Sequence, residues 1–257
     1  MDFKIERLGS GAIFTITRPQ RLNALTKGVW NGLESCVDDL EKASARYLVI
    51  TAEGDRAFSA GTDLKDNDGL SWDERPAKND RVRNLLLRLS KSSLFTVAAV
   101  NGLAYGGGLE LALACTVRAS VASARFSMPE IKLAVIPSYG GTQFLPNVVG
   151  RARAAELMLT ARVLSANEAL DWGLVSHIAA TREELLTQAI ALGSEVASFS
   201  PVAYRSIVRC LEGSGSPPEQ ASMDLEGAEV RTVLSSDDAK EGVEAFVEKR
   251  KAIFKGR

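Results

Sequence analysis

The sequence contains one histidine, three cysteines and no uninterrupted apolar run long enough to cross a bilayer, and each shortage closes off a class of function. His177 has no histidine neighbour with which to ligate a metal. Its Leu-Val-Ser-His-Ile setting, at the end of an expected strand, makes it a structural residue rather than the base of a Ser-His-Asp triad. Cys36, Cys115 and Cys210 are odd in number, far apart and without metal-ligand spacing. Neither a disulfide framework nor a zinc site is expected, and a reducing cytoplasm fits best. A membrane-spanning helix needs roughly 20 apolar residues, and the longest candidates here are broken by Arg, Ser or Gly. Charge of one sign is also lacking. The 31 basic and 32 acidic residues leave a formal net charge of −1, which implies neither nucleic acid nor an anionic membrane as partner. No Gly-Lys-Ser/Thr phosphate loop occurs, and Met1 to Leu8 carries Asp2, Lys4, Glu6 and Arg7 where an export signal would be apolar.

What is present suffices for a large core: 257 residues, 46% of them hydrophobic. Phe3 to Leu8 and Ala12 to Thr17 flank Gly9-Ser10-Gly11 and read as an opening hairpin. From Lys27 to Ala43, Val29, Trp30, Leu33, Val37 and Leu40 recur at the spacing of one helix face. Tyr47 to Thr51 and Leu94 to Val100 are compact β-branched runs suited to buried strands, with a helix expected between them from about Lys78 to Leu89. Asp66 to Pro76, rich in Asp, Gly, Asn and Pro, reads as a surface loop. After a strand-like run at Val117 to Ala122 the chain turns helical: Arg153 to Leu159, Ala166 to Trp172, Glu183 to Phe199, Pro201 to Leu211, Glu219 to Leu234 and Asp238 to Phe254. Only a strand at Leu174 to Ile178 interrupts it. This drift predicts an α/β core over residues 1–193, carrying the active site, and a helical region over 194–257.

Three segments place glycines and carboxylates where strands end. Phe58-Ser59-Ala60-Gly61-Thr62-Asp63-Leu64 follows the Tyr47 strand, and its small residues let backbone amides approach a ligand. In Asn101-Gly102-Leu103-Ala104-Tyr105-Gly106-Gly107-Gly108-Leu109-Glu110 three glycines precede an apolar helix, whose leading amides suit an anion. Phe126-Ser127-Met128-Pro129-Glu130-Ile131 sets Glu130 at the start of a turn, with Ile136-Pro137-Ser138-Tyr139-Gly140-Gly141-Thr142 close behind. Taken one at a time, each is better explained structurally: a packing turn, or an acid complementing a helix dipole.

Together, in this order and spacing, they resemble the crotonase family, also called the enoyl-CoA hydratase/isomerase superfamily. The resemblance covers essentially the whole chain, from Arg18-Pro19-Gln20-Arg21-Leu22-Asn23-Ala24-Leu25, similar to the family's RPxxxNAL segment, through FSAGTDL, NGLAYGGGLELALAC, FSMPEIKLAVIPSYGGTQ and LTARVLSANEALDWGLVSHI to EGVEAFVEKRKAIF. It implies a crotonase-like spiral of ββα units with a helical C-terminal oligomerisation region, and a homotrimer or dimer of trimers.

The substrate implied is an acyl-CoA thioester, with no separate cofactor and no metal, since coenzyme A is part of the substrate. Activating Cα or Cβ of a thioester drives negative charge onto the carbonyl oxygen, and a donor aimed there in advance is worth about 10²–10³ in rate. The resemblance assigns those donors to the amides of Ala60 and Gly107. Glu110 and Glu130 match the family's two catalytic glutamates. Hydration needs a base for water and an acid for Cα, and two carboxyls in a shared, partly dry pocket can divide the roles. The coenzyme A moiety is assigned Arg21, Leu22, Ala24, Thr62, Asp63 and Leu64, together with Phe246 and Lys249, which resemble positions reaching the coenzyme A of a neighbouring subunit.

The resemblance also assigns Pro137, Ser138 and Tyr139 to substrate binding. Ser138-Tyr139 departs from the Gly-Ala or Gly-Gly of many hydratases, next to the turn whose amide in the family helps hold the catalytic water, and a tyrosine there can narrow the acyl pocket or hydrogen-bond a polar substrate. The reaction implied is reversible hydration of a trans-2-enoyl-CoA to a 3-hydroxyacyl-CoA. Its alternatives are a Δ3,Δ2-enoyl-CoA isomerase, in which one glutamate shuttles the proton, and an inactive acyl-CoA-binding or scaffold protein.

Overall fold

The computed structural model describes residues 2–67, 71–199, 204, 208, 220, 230, 231, 234–250 and 252. Strands β1 (Phe3–Leu8) and β2 (Gly11–Ile16) form the expected hairpin. Helix α1 (Lys27–Lys42) follows, started by the Thr26 side chain, which accepts from the Val29 amide. Such a cap is typically worth about 1 kcal/mol. The chain then repeats one pattern. β3 (Tyr47–Ala52), β4 (Ala57–Ser59) and α2 (Arg75–Ser90) are succeeded by β5 (Phe95–Val100), β6 (Leu103–Tyr105) and α3 (Gly107–Leu113). Next come β7 (Val117–Val121) and β8 (Arg125–Ser127), then a 3-10 turn at Glu130–Leu133.

Within each repeat the first strand joins one sheet and the second joins another. The larger sheet has the order β1-β2-β3-β5-β7-β10 and is parallel from β2 onward. The smaller has the order β4-β6-β8-β9. This is the expected spiral of ββα units. It is closed by α4 (Gly141–Val149), α5 (Arg151–Thr160), β9 (Leu164–Ser165), α6 (Ala166–Asp171), β10 (His177–Ala179), α7 (Arg182–Ala197) and α8 (Asp237–Val247).

The core explains the long strands. Every residue of β2, β3 and β5 is buried, because sheet and flanking helices cover both faces. Each Leu, Ile, Val or Phe so removed from water contributes about 1.5–3 kcal/mol. Tyr47 is buried under α7, where a Cβ on Gly193 would collide with its ring. Close packing therefore runs through residue 193, the expected end of the core, which lies inside α7.

Other expectations shift. α2 begins at Arg75, inside the stretch expected to be loop, because Pro76 fits the first turn of a helix, where its missing N–H is not needed. The expected strand at Leu174 starts at His177, since Leu174 and Val175 instead return their amides to the Ala169 carbonyl at the end of α6. The expected helices at 201–211 and 219–234 fall largely outside the described residues, as do residues 251, 253 and 254 of the last one. Among the described residues no helix is long and apolar enough to cross a membrane.

Candidate active site

A cavity of about 1110 Å³ opens between the ends of β4 and β6, the turn after β8 and helix α8. Ala60, Gly107, Glu110, Glu130, Arg21, Leu22, Ala24, Thr62, Asp63, Leu64, Ser138, Tyr139, Phe246 and Lys249 all line it. Pro137 does not. It is buried behind the wall, where a Cβ on Gly141 would lie 2.9 Å from its own Cβ. Phe246 and Lys249, expected to reach a neighbouring subunit's ligand, line the cavity of their own chain. α8 is held there by close packing of Gly242 on the Leu133 backbone.

Glu110 lies in the first turn of α3 and is 1% exposed. Its Oε1 accepts from the amides of Tyr139 at 2.8 Å and Gly141 at 2.9 Å. Two donors on one oxygen fix the direction of the carboxyl and tie α3 to the start of α4. Glu130 begins the 3-10 turn after β8, brought there by Pro129. Its Oε1 would lie 2.8 Å from a Cβ on Gly106, a residue with φ +49. Glycine at 106 is therefore required twice, for its left-handed backbone and for the room it leaves the carboxyl. At Gly108 a Cβ would sit 2.5 Å from the Ser59 carbonyl, so the triple glycine also lets α3 press against β4.

The donors differ from the expected pair. The Ala60 N–H is already given to the Leu22 carbonyl at 2.9 Å, so it is not open to a ligand. The open amide of this turn is two residues on. Leu25 and Thr62 form a parallel bridge in which Leu25 N–H donates to Gly61 O at 2.8 Å and Asp63 N–H to Leu25 O at 3.0 Å. Extended backbone points alternate amides to opposite sides, so Thr62 N–H faces away from that bridge and has no acceptor among the described residues. Gly107 opens α3, where leading N–H groups have no partner inside the helix. The two turns touch: a Cβ on Gly61 would lie 3.4 Å from the Gly107 nitrogen.

Asp63 is less a ligand group than a brace. Its carboxylate takes a 2.9 Å ion pair from Arg18 and a hydrogen bond from the Lys65 amide, with Arg21 at 3.8 Å. Arg18 also donates to the Ala24 carbonyl, and the fully buried Asn23 donates to the carbonyls of Glu53 and Ala57 while accepting from the Arg18 amide. Arg18 and Asn23 thus latch the 18–25 segment to the turns on either side of β4. Their place in the RPxxxNAL segment was the signal for it. Arg75, Lys132 and Arg250 also line the cavity and add positive charge to Arg21 and Lys249; nothing in their sequence setting marks them out.

The model of the family described as "Enoyl-CoA hydratase/isomerase" matches residues 9–257. A "Probable enoyl-CoA hydratase" of Bacillus subtilis is 39% identical over 95% of both chains. A "Crotonyl-CoA hydratase" of Syntrophomonas wolfei is 36% identical over 95% of this chain and 94% of its own. Among solved structures, carnitinyl-CoA hydratase from Mycobacterium avium superposes with a TM-score of 0.86 at 31% identity, covering 100% of this chain and 99% of the other. Motif order, ββα spiral and full-length similarity agree, and the chain belongs to the enoyl-CoA hydratase/isomerase family.

Proposed function

We propose that the protein catalyses the reversible addition of water to a trans-2-enoyl-CoA, giving a 3-hydroxyacyl-CoA. The observation that carries this reading is that Glu110, Glu130 and the two strand-end turns all border one cavity. A thioester whose carbonyl oxygen accepts from the Thr62 and Gly107 amides is polarised along its conjugated double bond. One carboxylate takes a proton from water as the water oxygen bonds to Cβ. The π electrons move onto the thioester oxygen as an enolate, and the other carboxyl delivers a proton to Cα as the enolate collapses. Nothing is oxidised or reduced, so the two carboxyls and two amides suffice and no separate cofactor is required.

The same reading gives the coenzyme A portion the cavity mouth, where Arg21 and Lys249 offer cations to its phosphates and Phe246 an apolar face. A cytoplasmic homotrimer or dimer of trimers goes with it, and exposed apolar side chains such as Leu159 (68% exposed) support burial against a second copy. The test is crotonyl-CoA given to the purified protein. Loss of the enoyl thioester absorbance with formation of 3-hydroxybutyryl-CoA is the result expected. Conversion of a 3-enoyl-CoA to its 2-enoyl isomer without hydration would make it an isomerase, and binding with no turnover a scaffold.

A further inference from the structure

Tyr139 stands where both strand-end turns, Glu110 and the core meet. The residue is 2% exposed, and its ring packs edge-on against Trp30, with centroids 5.7 Å apart. It also closes on the glycine turn, since a Cβ on Gly107 would lie 3.0 Å from its Cε2. Its hydroxyl is 2.9 Å from Thr62 Oγ1. The phenol's polar end is therefore matched within the wall, and what it presents to a ligand is ring. Behind it lies packed core: Trp30 is 4% exposed and borders no part of the cavity.

We propose that the Tyr139 ring is the end wall of the acyl pocket and restricts the substrate to short acyl chains. The inference rests on the reading above. With the thioester oxygen between the Thr62 and Gly107 amides, the carbons beyond Cβ leave the reacting centre against this ring. Protein interiors hold almost no spare volume, so a methylene beyond the wall has to displace Tyr139 or Trp30. An apolar pocket that admits or refuses one methylene changes kcat/KM by about 10–200-fold.

The experiment compares kcat/KM for crotonyl-, hexenoyl-, octenoyl-, decenoyl- and dodecenoyl-CoA in the wild type, Tyr139→Ala, Tyr139→Leu and Tyr139→Phe. The wild type should favour the shortest chains. Tyr139→Ala, or Tyr139→Leu should the alanine variant not fold, should raise the ratio of dodecenoyl- to crotonyl-CoA by about 10–200-fold. Tyr139→Phe keeps the ring and should keep the wild-type ratio. A wild type that accepts dodecenoyl-CoA as readily as crotonyl-CoA overturns the proposal, as does an unchanged ratio in a folded small-residue variant. Should the wild type hydrate none of them, the hydratase reading fails on its own. The wall is then read from dissociation constants of butyryl- and dodecanoyl-CoA, whose ratio must shift in the same direction in Tyr139→Ala for the proposal to stand.

Discussion

The Tyr139 hydroxyl and Thr62 Oγ1 lie 2.9 Å apart, joining the turn after β4 to the turn before α4. Thr62 carries the open amide of its turn, and in the proposed hydration this hydrogen bond braces a donor aimed at the thioester oxygen. Thr62→Val keeps the amide and the branched shape and removes the hydroxyl. A neutral hydrogen bond is worth about 0.5–1.5 kcal/mol net, so kcat should fall roughly 3–10-fold. The fall should be the same for every chain length, which separates bracing from the size effect of the ring. Steady-state kinetics on crotonyl- and hexenoyl-CoA check it.

Glu110→Gln should abolish most turnover while leaving the fold intact. The glutamine carbonyl can still accept the Tyr139 and Gly141 amides that Oε1 accepts, so α3 and α4 stay tied. What is lost is the group that exchanges a proton, worth about 10²–10⁴ in rate. Glu130→Gln should cost a similar factor. Each variant should melt within about 2–4 °C of wild type, the shift expected of roughly 1 kcal/mol in a chain of this size. Crotonyl-CoA hydration and calorimetric melting are the two readouts, and a variant that loses activity only by unfolding would argue against a chemical role.

Legibility from sequence followed element length. α1, β3 and β5 are long enough for their apolar period or run to stand out, and they fall where expected within a residue or two. The smaller sheet was not seen, because β4, β6, β8 and β9 have two or three residues each, too few to show alternation. α4 was hidden by Pro146 inside it and by the glycines at its ends. At the site, the combined order and spacing of the motifs, not any one of them, pointed to the two glutamates and two turns that line the cavity. That order and spacing did not mark which amide was open. Ala60 and Thr62 are both small residues flanking Gly61, and only the backbone pairing with Leu22 and Leu25 distinguishes them.

Asp63 should behave as a structural residue. The side chains of Arg18 and Asp63 are 15% and 8% exposed and 2.9 Å apart. Removing one partner of a buried pair strands the other charge and costs about 3–5 kcal/mol. Asp63→Asn should therefore lower the melting temperature by roughly 6–20 °C, at about 2–4 °C per kcal/mol. The damage to kcat/KM should arrive through the loosened turn. Arg18→Met combined with Asp63→Leu, which leaves no stranded charge, should recover much of the melting temperature. Recovery of full activity by that double variant would instead give the pair no positioning role.

Cys115 provides a pH-dependent readout of the core. It is buried between α3 and β7, and burial pushes its thiol up to about 12, partly offset by the positive charge of Arg118. In the unfolded chain a thiol titrates near 8.5. The native state therefore keeps a proton that the unfolded state releases, so this group's contribution is full below about pH 8.5 and is lost as pH rises toward about 12. Each pH unit inside that window should remove up to about 1.4 kcal/mol. Cys115→Ala should flatten the alkaline limb of a stability-pH curve measured by urea unfolding. In native protein near neutral pH Cys115 should resist alkylation, which needs a reachable thiolate, and should react on unfolding. Mass spectrometry of iodoacetamide-treated samples, with and without denaturant, decides it: labelling of Cys115 at the same rate in both would mean that α3 opens readily, and with it the cavity wall that carries Glu110.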